Sequence, residues 1–148
     1  MIPITIYETL AADSQLQACG INSNRILELQ SVDERPFDEG YYIIMNWQES
    51  TSPGLSFNGI QNTDQKAPRT MTLWVHSPFD KGRDYRIIDR ILNRVDKLLL
   101  AMENVKGSDN IRLTCVTKQG RSGNLIDDGW KTIARNSTYA VLYDEYAA

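Results

Sequence analysis

The strongest hydrophobic pattern in the chain lies over residues 84–103. Apolar side chains recur there every three or four residues for about five turns, which predicts an amphipathic helix. Asp84 can cap the N-terminus of this helix, and Gly107 lies just past its end. The apolar positions are Tyr85, Ile88, Ile91, Leu92, Val95, Leu98, Leu99 and Met102.

Weaker patterns predict a second helix and five strands. Residues 4–19 carry a loose helical face that ends before Gly20, with Asp13 weakening its middle. Alternating apolar and polar positions predict the strands, and large side chains on both faces of 41–47 place that strand centrally in its sheet. The five predicted strands cover residues 25–30, 41–47, 70–76, 111–118 and 132–143.

The order of these elements predicts the class of the fold. A helix, two strands, a long loop, a strand, the long helix and two further strands indicate an α+β domain. We expect a small mixed or antiparallel sheet with helices packed on one face. The loop over 48–69 has 22 residues rich in Ser, Thr, Asn, Gln, Gly and Pro, and loops of this length are usually functional or mobile. The 148 residues fit a single domain over 1–148.

Composition argues against several classes of function. The 16 Lys and Arg residues against 19 Asp and Glu give a net charge of -3, which disfavours a dedicated nucleic-acid binder. Cys19, Cys115 and the single histidine are too few for a disulfide framework, a four-ligand zinc site or a histidine-pair motif. Without a membrane-length apolar run or a signal pattern, we expect an intracellular product with reduced thiols.

Candidate catalytic chemistry is sparse. His76 could act as a general base, or it could be a strand-end residue that faces solvent or a neighbouring subunit. Asp127 and Asp128 resemble a paired-carboxylate ion site, but adjacent strand residues point to opposite faces, which favours a solvated turn with Gly129. The glycine-rich stretch 120–123 lacks the lysine of a phosphate-binding loop. We therefore expect no catalytic residue, no cofactor and no metal.

The polar side of the long helix separates a basic edge from an acidic edge. One interpretation is a solvated face with local ion pairs, and another is phosphate binding, which the net charge disfavours. A third is assembly, in which the basic edge meets a different, acidic surface of the next subunit in a ring. If so, reversing Arg90 and Arg94 to Glu should weaken ring formation more than thermal stability. The candidate intersubunit residues are Arg83, Arg86, Arg90, Arg94 and Lys97 on the basic edge, with Asp89 and Asp96 beside Asn93 on the acidic edge.

Two segments, 72–100 and 120–145, resemble the tail terminator (tail completion) proteins of long-tailed siphophages. The variants in phages that infect actinobacteria are the most similar, and residues 1–13 also resemble the start of those proteins. The most specific part is the block LIDDGW over 125–130, followed by IARN over 133–136. Its motif residues are Asp127, Asp128, Gly129 and Trp130.

This resemblance implies a structural virion protein that is assembled in the host cytoplasm. Such proteins form a hexameric ring on the head-proximal end of the tail tube, end tube polymerisation and offer a docking surface to the neck or connector protein. DNA passes through the ring only as cargo, and no cofactor, catalysis or membrane is involved. The loop over 48–69 is then a candidate docking arm for the tube protein. Its candidate contacts are Ser52, Leu55, Phe57 and Ile60.

Three other functions stay open at this point. The first is a head-completion or connector adaptor protein of the phage neck, which would leave tube length unchanged. The second is a small hydrolase that uses His76 with Asp127 and Asp128. The third is a monomeric binding domain, which a ring of subunits would exclude.

Overall fold

A mixed β-sheet with helices against one of its faces forms the fold. The computed structural model describes residues 2–28, 34–48, 56–57, 60–61, 68–79 and 84–144. The helices of these ranges are α1 (Thr5–Ala11), α2 (Ser14–Ala18) and α3 (Tyr85–Leu100), with a 3-10 turn at Ser23–Arg25. The strands are β1 (Ile26–Leu27), β2 (Tyr42–Trp47), β3 (Ser56–Phe57), β4 (Ile60–Gln61), β5 (Arg69–Pro78), β6 (Glu103–Lys106), β7 (Arg112–Arg121), β8 (Leu125–Asp127) and β9 (Thr132–Asp144).

Seven of these strands form the main sheet in the order β1-β2-β5-β9-β7-β6, with β8 also paired to β9. Only the pairing of β1 with β2 is parallel among the described strands, so the sheet is mixed. The central pair β5 and β9 is antiparallel and runs in register from Arg69 opposite Val141 to Pro78 opposite Thr132. The predicted α+β class with a mixed sheet is confirmed, and β2 has a strand on each side as its sequence predicted.

The helices pack against one face of this sheet because alternate strand residues point to that side. Ile43 and Met45 of β2 and Leu73 and Val75 of β5 are buried in the same apolar cluster as the helices. Burying a Leu or Ile side chain contributes about 2 kcal/mol, so this layer is a main source of stability. The buried positions of α3 are Ile88, Ile91, Leu92, Val95 and Leu99.

The ends of the helices differ in part from the sequence prediction. The Asp84 side chain accepts a hydrogen bond from the Arg86 amide (2.9 Å), which confirms this residue as the N-cap of α3. However, α3 ends at Leu100 with Ala101 as its C-cap, and Glu103, the last residue of the predicted helix, instead begins strand β6. Gly107 is therefore not a helix stop. It lies in the turn between β6 and β7, where its amide donates to the Ile111 carbonyl (3.1 Å).

The helix predicted over 4–19 is two helices. The chain leaves the helical conformation at Asp13, which has φ −79° and ψ 123°. The Asp13 carboxylate then caps α2 by accepting from the Leu16 amide (3.0 Å). This capping hydrogen bond stabilises the break between the two helices, because the short Asp13 side chain competes with a continuous helix for backbone hydrogen bonds.

Two stretches predicted as loops contain short strands. The 48–69 segment includes the antiparallel pair β3 and β4, where Phe57 lies opposite Ile60, while Ser52 and Leu55 lie outside the described residues. Similarly, β8 lies between the strands predicted over 111–118 and 132–143, and the predicted strand 25–30 is described only as Ile26–Leu27. Among the described helices, none is long and apolar enough to cross a membrane.

Candidate functional site

The acidic edge of α3 makes its ion pairs within the chain. The Asp96 carboxylate accepts from Lys118 Nζ (2.7 Å) and Arg121 Nη2 (2.5 Å) of β7. It also accepts a short hydrogen bond from the hydroxyl of Tyr139, a fully buried residue of β9. Burial and the Asp96 carboxylate raise the pKa of the Tyr139 hydroxyl well above its usual range. This part of the acidic edge therefore joins α3 to the sheet.

Asp89 continues the same network about two helical turns nearer the N-terminus of α3. Arg135 of β9 donates a short hydrogen bond to Asp89, and Arg121 Nη1 lies 3.6 Å from the same carboxylate. Arg135 Nη2 also donates to the Ser122 carbonyl (2.9 Å), which ties the segment after β7 to β9. Asn93, between the two aspartates on the helix, accepts from Arg121 Nη1 (2.8 Å). The neighbouring positions Asp89, Asn93 and Asp96 thus share their partners inside the subunit.

The basic edge of α3 is divided between an internal and an exposed part. Arg94 pairs with Asp13, where Nη2 lies 2.7 Å from Oδ1 and Nε lies 3.1 Å from Oδ2. The hydrogen bond from Arg94 lowers the pKa of the Asp13 carboxyl. In contrast, Arg86, Arg90 and Lys97 are exposed, and Arg86 lies 3.7 Å from the Asp84 carboxylate. Arg83 lies outside the described residues.

A second charged surface lies in the segment between β1 and β2. Glu34, Asp38 and Glu39 are exposed there, and Arg35 Nε donates to Asp38 Oδ1 (3.1 Å). This segment is not among the candidate sites predicted from the sequence. A signal was present, because three of its six residues from 34 to 39 are acidic and only one is basic.

His76 is buried, which contradicts one of its interpretations, that of a strand-end residue that faces solvent. It is 5% exposed, and its ring stacks on Tyr42 at 5.4 Å and lies 5.1 Å from the ring of Trp130. Burial lowers the pKa of its imidazole to about 4, which makes it neutral near pH 7. His76 Nδ1 lies 2.9 Å from the hydroxyl of Thr132 and shares a hydrogen bond with it.

These rings form an aromatic cluster on the sheet face opposite the helices. Tyr42 and His76 alternate with the helix-facing Ile43 and Val75, so their side chains point away from α3. The Tyr42 hydroxyl is buried and has no hydrogen-bond partner among the described residues. This cluster was not predicted from the sequence. Its members are Phe37, Tyr42, Trp74, His76 and Trp130.

The motif over 127–130 builds a turn and positions a ring of this cluster. Asp127 Oδ1 accepts from the Trp130 amide (3.0 Å), while Asp128 is exposed. The turn ends at Lys131, which has a left-handed φ of 55°. The Asp127 contact fits the predicted turn. No group of three or more His, Cys, Asp or Glu residues in the described ranges could hold a metal ion, and Cys19 and Cys115 are both free.

Two of the five large apolar side chains that are exposed among the described residues lie on β8, next to the N-terminal end of α3. Leu125 is 38% exposed and Ile126 is 55% exposed. The hydroxyl of Tyr85, the first residue of α3, donates to the Leu125 carbonyl (2.7 Å) and holds the strand at this place.

Comparison with solved structures finds a chain of similar fold in the virion of a native gene transfer agent (GTA) particle. The two chains superpose with a TM-score of 0.61 at 13% sequence identity, over 94% of this chain and 92% of that chain. A likeness at this level of identity shows a shared fold over nearly the whole of both chains. No protein-family model and no curated protein matches the sequence.

Proposed function

We propose that this protein is a structural component of a phage-like virion and acts as its tail terminator. In this role a ring of subunits, expected to be hexameric, caps the head-proximal end of the tail tube and ends tube polymerisation. The ring then presents its other side to the neck or connector protein. The observation that carries the proposal is the shared fold with a chain of a gene transfer agent virion, which extends over nearly the full length of both chains.

The choice of the terminator role rests on the sequence resemblance of 72–100 and 120–145 to tail terminator proteins. The structure adds that the most specific residues of this resemblance serve the fold. Asp127 caps the turn, and Trp130 packs on His76 and Tyr42. Residues with such roles suit a protein that works by shape and contact, so the proposed role includes no catalytic group and no cofactor.

The charge of the subunit supports a ring through which DNA passes without being held. Each chain has a net charge of -3, so six chains carry roughly -18 in total. Because affinity for DNA grows with the number of phosphates that Lys and Arg neutralise, an acidic ring avoids strong binding of its cargo. DNA is therefore cargo in this proposal rather than a ligand.

Negative-stain microscopy of particles assembled without this chain tests the proposal. We expect overlong tubes that are not joined to heads, and complementation with the full chain should restore tail length. Tails of normal length that stay unattached to heads would contradict termination and favour the adaptor of the neck. A folded variant in which a short Gly-Ser link replaces the middle of 48–69 tests the docking arm, because we expect it to leave tubes uncapped.

A further inference from the structure

Part of the charge on α3 is not used inside the subunit. Arg86, Arg90 and Lys97 are spaced by four and seven residues, which places them on one side of the helix. All three are exposed, and neither Arg90 nor Lys97 has an ion pair with a residue that the structure describes. We call these three residues the basic row. It differs from Arg94, which is committed to Asp13 inside the fold.

A surface of opposite charge lies in the segment between β1 and β2, where Glu34, Asp38 and Glu39 are exposed. We call these three residues the acidic loop. Phe37 anchors this loop. Its ring lies 5.4 Å from the ring of Tyr42, and the Arg25 guanidinium lies over the Phe37 ring, 4.3 Å from the ring centroid. Arg25 also donates a short hydrogen bond to the Glu39 carbonyl. The backbone of the acidic loop is thereby held to the fold, and its three acidic residues are exposed, with Asp38 also accepting a hydrogen bond from Arg35 Nε within the loop.

The two surfaces lie on different sides of the molecule. The basic row is on α3, in the layer of helices that covers one face of the sheet. The acidic loop is anchored on Tyr42, whose ring lies on the other face. The basic row of a subunit is therefore placed to meet the acidic loop of another copy and not its own.

We infer that the basic row of one copy of this chain binds the acidic loop of a second copy. The contact is heterologous, because the two surfaces lie on different sides of the molecule, so that one contact joins one row to one loop and leaves one of each kind free on the pair. Repetition of the same contact adds further copies and closes into a ring when the rotation permits. A symmetric contact of row with row or loop with loop would bring like charges together. This inference rests on the proposed function, for which it names the subunit contact.

Charge exchange between the two surfaces tests the contact. The row variant carries Arg90→Glu and Lys97→Glu, and the loop variant carries Glu34→Lys and Asp38→Lys. Each variant alone sets like charges against each other, so we expect its dissociation constant for self-assembly to rise about tenfold or more. An equimolar mixture should assemble again, because every contact then pairs an acidic surface with a basic one. Native mass spectrometry and sedimentation velocity at low salt and high protein concentration measure the assembly.

A matched control for the row variant places the same change of charge on another exposed part of the molecule. Lys106→Glu with Arg112→Glu alters two exposed cations at the β6 edge of the sheet, and we expect it to assemble like the unmodified chain. Thermal unfolding of every variant shows whether it folds. A combined chain with all four row and loop substitutions has complementary surfaces again and should assemble by itself.

Three results would overturn the contact: an unmodified chain that stays monomeric under these conditions, single variants that assemble as well as it does, or a mixture that does not recover. The proposed function is tested separately by tail length. If tubes are overlong without the chain and charge exchange has no effect, termination stands and this contact falls. If the mixture recovers and tails without the chain have normal length, the contact stands and termination falls.

Discussion

Arg94 of α3 and Asp13, between α1 and α2, form a two-point ion pair with distances of 2.7 Å (Nη2 to Oδ1) and 3.1 Å (Nε to Oδ2). The Asp13 side chain is only 7% exposed, and it also accepts from the Leu16 amide. One carboxylate thus caps α2 and joins it to a helix 81 positions away in the sequence. Arg94 is therefore a structural residue, unlike Arg90 of the basic row.

Replacing Arg94 with Ala should lower the free energy of unfolding by about 2 kcal/mol, because it leaves the nearly buried Asp13 carboxylate without its charged donor. The matched variant Arg90→Ala should change stability by no more than about 0.5 kcal/mol, since its side chain is exposed. Urea unfolding of the two variants makes the comparison. Equal losses would contradict a structural role that is specific to Arg94. Reversing both arginines in one variant would accordingly mix stability with assembly, so assembly is better tested at Arg90 and Lys97.

The buried His76 should make stability depend on pH. The folded imidazole has its pKa lowered from 6.5 to about 4, so the unfolded chain takes up the proton first as the pH falls. The free energy of unfolding should therefore decrease as the pH falls from about 6.5 to about 4, by at most about 3 kcal/mol. Below about pH 4 this loss of stability should be complete. Comparing unfolding across this range for the unmodified chain and His76→Gln isolates it. An unchanged pH dependence in the variant would contradict a neutral buried imidazole.

Two buried tyrosines should respond in opposite ways to loss of the hydroxyl. Tyr42→Phe removes a buried hydroxyl that has no partner among the described residues, so stability should stay the same or rise by about 1 kcal/mol. Tyr139→Phe removes the hydrogen bond to Asp96 and should cost about 1.5 kcal/mol. Chemical unfolding of both proteins provides the test. Similar losses in the two variants would show that the Tyr42 hydroxyl is satisfied.

Removing the Trp130 ring should open the aromatic cluster to water. Trp130→Ala deletes the ring that lies 5.1 Å from His76, so we expect a loss of about 3 kcal/mol in stability and a rise in the His76 pKa towards 6.5. Because His76 is the only histidine, its NMR titration can be followed without ambiguity. Ile126→Ala on the neighbouring strand is the control, since that side chain is 55% exposed. A titration of His76 that does not move in Trp130→Ala would rule out ring burial as the cause of its low pKa.

The sequence determined the long elements of this fold because each carries its own period. The apolar spacing of α3 and the alternation in β2, β5, β7 and β9 arise within single segments, and Asp84 caps α3 from the position next to it. Strands of two to four residues have no measurable period. For this reason, β3, β4, β6 and β8 can be recognised only from their hydrogen-bonded pairing with other strands in the folded chain.

The tertiary structure decided what the charged and aromatic residues do. The sequence grouped Arg90 with Arg94 and placed Asp89 and Asp96 on one edge, since helical spacing gives the side of a residue but not its partner. Asp13, Arg121 and Arg135 come from distant segments, and they pair with Arg94 and the two aspartates within the subunit. His76 was likewise identified from the sequence as a candidate residue, but its burial depends on rings that only the folded sheet and its loops bring together.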